Sequence, residues 1–488
     1  MVSILLPFCV RTTLLYVLGE KYLGLDSLFL AVLGVLNLAE LGFSSAVTFM
    51  LYKAVAENDV PLMCALVRFL RDIYRKVGLF ILVVGLCLMP FLPHLIKGGY
   101  PADINLYVLY VVYLFNSVIS YWLFAYKQAL IQAMQRMDLV NRAFICTSVV
   151  TKLCQIIALV AIKNYYAFVF LVPLGTIMNN LYVQHISEKY FADIIPKGKL
   201  DNSIKSNMML QVYGLIINKV GDTARNVLGN IILSVTVGLS MVAVYANYNY
   251  IYASVYAISL IVTQAMQASV GNSVALDSKE KNYKDLVKFT FIFEWLCGWA
   301  TVCMFCLYQP FMEVWTHGNV NLMLPDFEMG LFVAMFYVIT INNTRNMYVD
   351  GTGIYWEMRR WYIVEAVADI ILSFGLGVLF GTAGILLANI ITLLLFNFVA
   401  RTEVVFRAYF LRSTFKFYKQ HLLYAFVTVV GLGLTSFICD MITCRGVQRI
   451  ICNLLVCLVV PNLVYFVIYK NSALFKDAMS FIKGALCR

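Results

Sequence analysis

Polar residues along this 488-residue chain come in short clusters, and between them lie about fourteen runs that are almost wholly apolar. The runs fall near 1–17, 27–52, 77–96, 106–126, 143–162, 164–187, 208–235, 239–271, 289–312, 329–344, 361–380, 382–400, 421–440 and 451–469. Most reach the roughly 20 residues that a helix needs to cross a hydrocarbon core. The pattern predicts an all-α polytopic membrane protein with about fourteen transmembrane helices.

The gaps carry an alternating charge. The even-numbered gaps and the C-terminal tail hold 28 of the 37 Lys and Arg residues, whereas the odd-numbered gaps hold five. Cytoplasmic loops carry the basic excess, so both termini and the even gaps are expected in the cytoplasm of a bacterial inner (cytoplasmic) membrane protein. The first run has neither a basic leader nor a small-residue cleavage site. It reads as a retained span, shortened at its start.

Composition agrees: 62% of residues are hydrophobic, 13% are charged and the mean hydropathy is +0.81. A net charge of +11 raises nucleic acid as a partner, but the charge sits in short inter-helix gaps and not in a folded basic domain, so no nucleic-acid partner is expected. Thirteen cysteines lie mostly inside runs, including Cys303 and Cys306, and His94, His185, His317 and His421 are scattered without ligand spacing. They read as packing residues, with no metal and no cofactor. Cys439 and Cys444 flank the last outward gap and could pair.

The gaps are too short for an extramembrane domain. Those at 53–76, 188–207 and 400–420 contain no GxxxxGK[ST] or GxGxxG loop, which excludes an ATPase, and no outward gap can house a catalytic or receptor domain. The 53–76 gap places Lys53, Arg68, Arg71, Arg75 and Lys76 around Leu62, Leu66 and Phe69, the pattern of an interfacial amphipathic helix on the anionic inner leaflet.

A weak repeat organises the runs. Gly24-Leu25 and Pro90-Phe91 recur as Gly238-Leu239 and Pro310-Phe311, at offsets of 214 and 220 residues, and the tight turn near 162–164 recurs near 380–382. An offset of six spans preserves orientation, giving parallel halves about a central cavity. The parse is a six-helix lobe over 1–188, a second over 206–400 and two additional helices over 421–470.

Charges inside the runs carry the chemistry. Arg11, Lys152, Lys219 and Arg225 would together cost on the order of 10 kcal/mol facing lipid, so they should face protein or water. Lys219, Asp222 and Arg225 follow at i, i+3 and i+6 along one helical face; a buried ion pair is the plain alternative to a ligand site. Arg11 has no acid in its own run. The acids inside runs are Glu40, Asp222, Glu294, Glu365 and Asp369. Glu365 and Asp369, four apart, could hold H⁺ or Na⁺ for coupling, with Asp222 as a third candidate; pairing with Arg345, Arg359 or Arg360 is the alternative. Gly377 and Gly381 form a GxxxG explained by close helix packing.

Leu18-Gly19, Tyr22-Leu23-Gly24-Leu25, Glu40-Leu41-Gly42 and Leu51-Tyr52-Lys53, followed by Tyr245, Asn247-Tyr248, Gly271-Asn272, Gln309-Pro310-Phe311 with Trp315, and Gly353 to Trp356-Glu357 with Arg360 and Glu365, resemble the bacterial polysaccharide-transport flippases. These O-antigen, capsule and teichoic-acid exporters belong to the multidrug/oligosaccharidyl-lipid/polysaccharide exporter superfamily. The order of the motifs carries the resemblance over nearly the whole chain. Ala54 and Gly229 depart from the pattern, standing where a proline and an aspartate are common.

The resemblance implies two six-helix lobes around a cavity, two trailing helices, and movement of an undecaprenyl-diphosphate-linked oligosaccharide from the inner to the outer leaflet, beside polysaccharide biosynthesis enzymes. Its anionic diphosphate suits Arg11, Lys152, Lys219 and Arg225, and its hydroxyls suit aromatic residues such as the cluster Tyr245, Tyr248, Tyr250, Tyr252 and Tyr256. The alternatives are a multidrug cation antiporter, which wants an acidic cavity, a peptidoglycan lipid-precursor flippase, and a membrane polymerase or ligase, which wants a long outward loop.

Overall fold

A computed structural model describes residues 2–40, 43–202, 205 and 228–486, and among these residues all regular structure is helical. The chain divides into two compact units, Met1–Ala246 and Asn247–Arg488. The first contains α1 (Val2–Val17), α2 (Glu20–Leu36), α3 (Phe43–Ala56), α4 (Val60–Leu88), α5 (Leu106–Trp122), α6 (Tyr126–Ala133), α7 (Met137–Ile157), α8 (Tyr165–Tyr190) and the start of α9 (Leu239–Leu276). The second continues α9 and adds α10 (Lys279–Trp315), α11 (Asp326–Thr340), α12 (Asn343–Thr352), α13 (Tyr355–Thr392), α14 (Arg401–Val405), α15 (Phe415–Asp440), α16 (Gly446–Tyr469) and α17 (Ala473–Leu486).

Polar residues in the gaps set the helix starts. Asp59 accepts from Leu62 N at 2.9 Å to open α4, Asn105 accepts from Tyr107 N and Val108 N at 3.1 and 3.2 Å to open α5, and Asn164 accepts from Ala167 N at 3.2 Å to open α8. Each side chain satisfies an amide that the first helical turn leaves unpaired. The turn before α8 is as tight as the sequence predicts, with Lys163 in the left-handed region at φ 53.

Eight described helical stretches are long and apolar enough to span a membrane, or nine when the bent pair α5 and α6 counts as one span. Residues 355–410 form a 56-residue stretch. Straight, it would be about 84 Å long, more than twice the hydrocarbon core. Gly381 (φ 58, ψ −130) folds it back, and a Cβ on Gly384 would lie 1.9 Å from the Leu376 carbonyl oxygen. The predicted turn at 380–382 is this glycine, and one stretch therefore contains two apolar runs. Large apolar side chains face outwards along the helices: Phe80 is 52% exposed while its neighbour Ile81 is fully buried. Inside the helices, hydroxyls return to the carbonyl one turn back, as Thr301 does to Cys297 O (2.7 Å) and Thr428 to Tyr424 O (2.9 Å), so little polarity reaches lipid. The chain is a multi-pass membrane protein.

The 53–76 gap is not a separate interfacial helix. Residues from Val60 onwards belong to α4, which runs unbroken to Leu88. Leu66 and Leu70 are buried in a core with Val47 and Leu51 of α3 and Leu130 of α6, and Leu62 and Phe69 pack against it. The apolar stripe is covered by protein and is not free to lie on a leaflet.

Candidate functional site

In the first unit, five helices bring polar side chains together. α1 packs on α2 and α7, α2 on α5, and α8 on both α5 and α7. Arg11 on α1, Asp26 on α2, Tyr113 on α5, Lys152 on α7 and Tyr165 at the start of α8 are linked through the Asp26 carboxylate and the Tyr113 hydroxyl. Asp26 accepts a short hydrogen bond from the Tyr113 hydroxyl and feels the charges of both Arg11 and Lys152. The buried Tyr113 and Tyr165 hydroxyls stand 3.3 Å apart, and Lys152 Nζ donates to Gln155 Oε1 at 3.0 Å. Gln155 is fully buried and reaches Phe168 O at 3.4 Å, which fixes the lysine's partner. Two bases from different helices thus act on the same carboxylate. Arg11 and Lys152 are only partly buried. Two of the four basic residues selected from the sequence thus lie together. Lys219, Asp222 and Arg225 lie outside the described residues.

Asp26 went unnoticed in the sequence because it stands one residue before an apolar run and reads as part of a gap. α2 begins at Glu20, which puts Asp26 almost two turns inside a helix. The detectable signal was the Gly24-Leu25 pair: a Cβ on Gly24 would fall 2.1 Å from Leu239 O, so this part of α2 is packed against backbone and not against water.

The second unit holds a buried charged group around α13 and α14. Glu365 pairs with Arg401, the two side chains being 1% and 4% exposed, and the Arg401 guanidinium lies 3.6 Å from the centroid of the Tyr362 ring. Asp369 accepts from Thr392 Oγ1 at 2.9 Å, across the hairpin that Gly381 closes. Arg345 is buried beside them and donates to Asn397 O, to Asn397 Oδ1 at 2.8 Å, to Asn346 Oδ1 at 2.6 Å and to Thr402 Oγ1 at 3.3 Å. Glu365 and Asp369 do share a buried face. The direct ion-pair partner is Arg401, which was not among the three bases weighed, since it reads as the first residue of a gap. Residues 393–400 form a wide π-helical turn that carries the helix on through Arg401 and keeps that residue buried.

The cysteines cluster differently from the pairing considered for the last outward gap. Cys439 is buried, and its sulfur lies with those of Cys306 and Cys457 within 4.8 Å of one another, whereas Cys444 is exposed. Three sulfurs at that spacing have the softness and reach for one soft cation, and they equally fill a packed seam. In the tyrosine-rich stretch, Tyr248 donates to Gln309 Oε1 at 2.6 Å and accepts from Leu324 N at 3.1 Å, while Gln309 donates to Asp326 Oδ1 at 2.9 Å. That tyrosine is a buried structural tie.

No protein-family model matches the chain, and no curated protein matches its sequence. Solved structures do share its fold. A structure of the lipid II flippase MurJ, in an inward closed conformation, superposes with a TM-score of 0.71 at 13% identity, covering 96% of this chain and 98% of that one. An inward-facing multidrug resistance MATE family transporter of the MOP superfamily gives 0.65 at 12% identity, covering 82% and 94%. A Vibrio cholerae MATE transporter gives 0.53 at 12% identity, covering 83% and 99%. The all-helical architecture is therefore that of these transporters, over nearly the full length of each.

Proposed function

We propose that this protein is an ATP-independent flippase of the bacterial cytoplasmic membrane, moving an undecaprenyl-diphosphate-linked oligosaccharide from the cytoplasmic to the outer leaflet for surface polysaccharide export. The observation that carries the reading is that two bases on different helices, Arg11 and Lys152, act together on the buried carboxylate of Asp26. Paired bases suit an anionic ligand, whereas a multidrug cation antiporter wants acids at its site. A diphosphate would be drawn to the two bases: Arg offers a planar fork to two phosphate oxygens, Lys adds a point charge, and Asp26 holds both in place until the anion replaces it. The polyprenyl tail stays in lipid throughout. Coupling to H⁺ or Na⁺ is assigned to Asp369, with Glu365 and its base as neighbours. A peptidoglycan lipid precursor presents the same anionic head, and the shared fold of a lipid II flippase supports that second reading equally.

The test is flipping of fluorescent lipid-linked oligosaccharides in proteoliposomes. Arg11→Ala and Lys152→Ala are expected to lower the rate at least tenfold at matched protein level, with Arg11→Lys intermediate. Running the assay with a lipid-linked peptidoglycan precursor separates the two substrates. Wild-type rates in both alanine variants would show that the cluster is a structural ion group.

A further inference from the structure

Away from both clusters, α10, α11 and α15 bury a separate acid and base. Glu294 Oε1 lies 2.8 Å from His421 Nδ1, with the side chains 2% and 4% exposed, and the Tyr337 hydroxyl donates to Glu294 Oε2 at 3.0 Å. The imidazole stands inside three aromatic rings, with centroids at 4.4 Å for Phe417, 5.1 Å for Phe398 and 6.1 Å for Tyr424. Both ring nitrogens and Glu294 Oε1 are buried without a hydrogen-bond partner among the described residues, so acid and base meet as a close charge contact and not as an aligned hydrogen bond.

This environment treats the two protonation states unequally. With a neutral imidazole, the carboxylate is a buried charge supported mainly by one tyrosine, and an isolated buried charge costs several kcal/mol. With an imidazolium, the pair is neutral overall, the cation has a carboxylate within contact distance, and the rings around it attract positive charge. The other titratable groups that act on Glu294 are Cys297 on α10, Tyr337 on α11, Tyr424 on α15, and Tyr465 and Tyr469 on α16. All are weak acids, uncharged near neutral pH in their ordinary ranges. On the remaining side lies the π-helical turn, where Asn397 holds Arg345 and the next residue, Phe398, packs on His421. The site is thus one residue away from the group that contains Glu365 and Arg401.

We infer that Glu294 and His421 form a proton-binding site, taking one proton from water onto the imidazole and releasing it again, and that the proton's presence is transmitted through Asn397 and Phe398 to the Arg345–Glu365–Arg401 group. This makes α15, one of the two additional C-terminal helices, part of the coupling machinery. The significance for transport rests on the flippase reading; the existence of the site does not.

Solid-state NMR of the full chain in lipid, with ¹⁵N-labelled histidine, tests it directly. Four histidines give four imidazole signals, and His421→Gln assigns one of them. That signal is expected to convert between imidazolium and neutral imidazole as pH is varied, and in Glu294→Gln the pH at which it converts is expected to move. A His421 signal that stays neutral at every pH, or stays imidazolium at every pH, overturns the site; the second result marks a permanent structural ion pair. In proteoliposomes, Glu294→Gln is then expected to abolish acceleration of flipping by a pH gradient while retaining flipping without one. If wild type flips no lipid-linked oligosaccharide, the flippase reading fails and the NMR titration still decides the site.

Discussion

Glu365→Gln tests whether the buried pair with Arg401 holds the second unit together. The two side chains are 1% and 4% exposed, so water cannot take over when one partner is removed. Breaking a pair buried in this way costs about 3–5 kcal/mol, because the surviving charge is left without compensation. Here the survivor is a guanidinium with a second one, Arg345, acting on it, so the loss should lie in the upper part of that range. Even about 3 kcal/mol is more than 100-fold in the unfolding constant. Arg401→Met should be similarly harmful, while the double variant should be less damaged than the sum of the two. The assay is reversible unfolding of purified protein in mixed micelles with rising SDS, followed by circular dichroism, for wild type, both single variants and the double. A coupling energy well above the ~0.6 kcal/mol typical of interhelical hydrogen bonds in membrane proteins is expected. Additivity within about 0.5 kcal/mol would refute the argument, since independent sites behave that way.

Asp369→Asn, by contrast, leaves an oxygen to accept from Thr392, so it should preserve folding while abolishing the H⁺ or Na⁺ dependence of transport; unchanged ion dependence in the proteoliposome assay would move coupling elsewhere. Gly24→Ala should destabilise the first unit by about 1–3 kcal/mol, since overpacking against backbone cannot be relieved by a rotamer change, and the same SDS titration reads it. Single-cysteine labelling in a cysteine-free background should find 53–76 and 401–419 cytoplasmic and 313–327 outward; impermeant reagent reaching 401–419 in intact cells contradicts the basic-residue topology. In the native chain, thiol reagent added outside should modify Cys444 before Cys439, as judged by mass spectrometry, because Cys444 is exposed and Cys439 is buried with Cys306 and Cys457.

The all-helical membrane architecture was legible because a membrane helix announces itself by local composition, and several boundaries were legible because turn and cap chemistry is local too: Asn164 and Gly381 act where they stand. What failed was partner choice. Asp26 and Arg401 each lie just outside an apolar run, where a one-dimensional reading assigns them to a loop, and His421 opens its run and reads as one more scattered packing residue. Each is drawn inside by helices that begin earlier or continue later than their apolar segments. Arg401 needs a π-helical turn to stay within the bundle, and no composition rule forecasts one. Glu294 was visible as an intramembrane acid, but its base is on a helix more than a hundred residues away and shares no periodicity with it. The amphipathic stripe at 60–76 was real, and only tertiary structure shows that α3 and α6 cover it.

The hairpin closed by Gly381 also constrains how the chain is made. Glu365 and Asp369 lie in its first limb, and the base that pairs with Glu365 is synthesised 36 residues later, late in the second limb. Released into lipid alone, the first limb would expose acids that oppose partition by roughly 2.5–3.5 kcal/mol each at mid-bilayer. Entry together neutralises Glu365 at once and gives Asp369 its hydroxyl from Thr392. Nascent chains cut after Thr392 are therefore expected to integrate this segment less completely than chains carried through Phe410, a difference that protease protection after translation into membrane vesicles will read. Lateral release must wait for the base, so the distance between acid and base along the chain sets the length of polypeptide the insertion machinery holds before letting go.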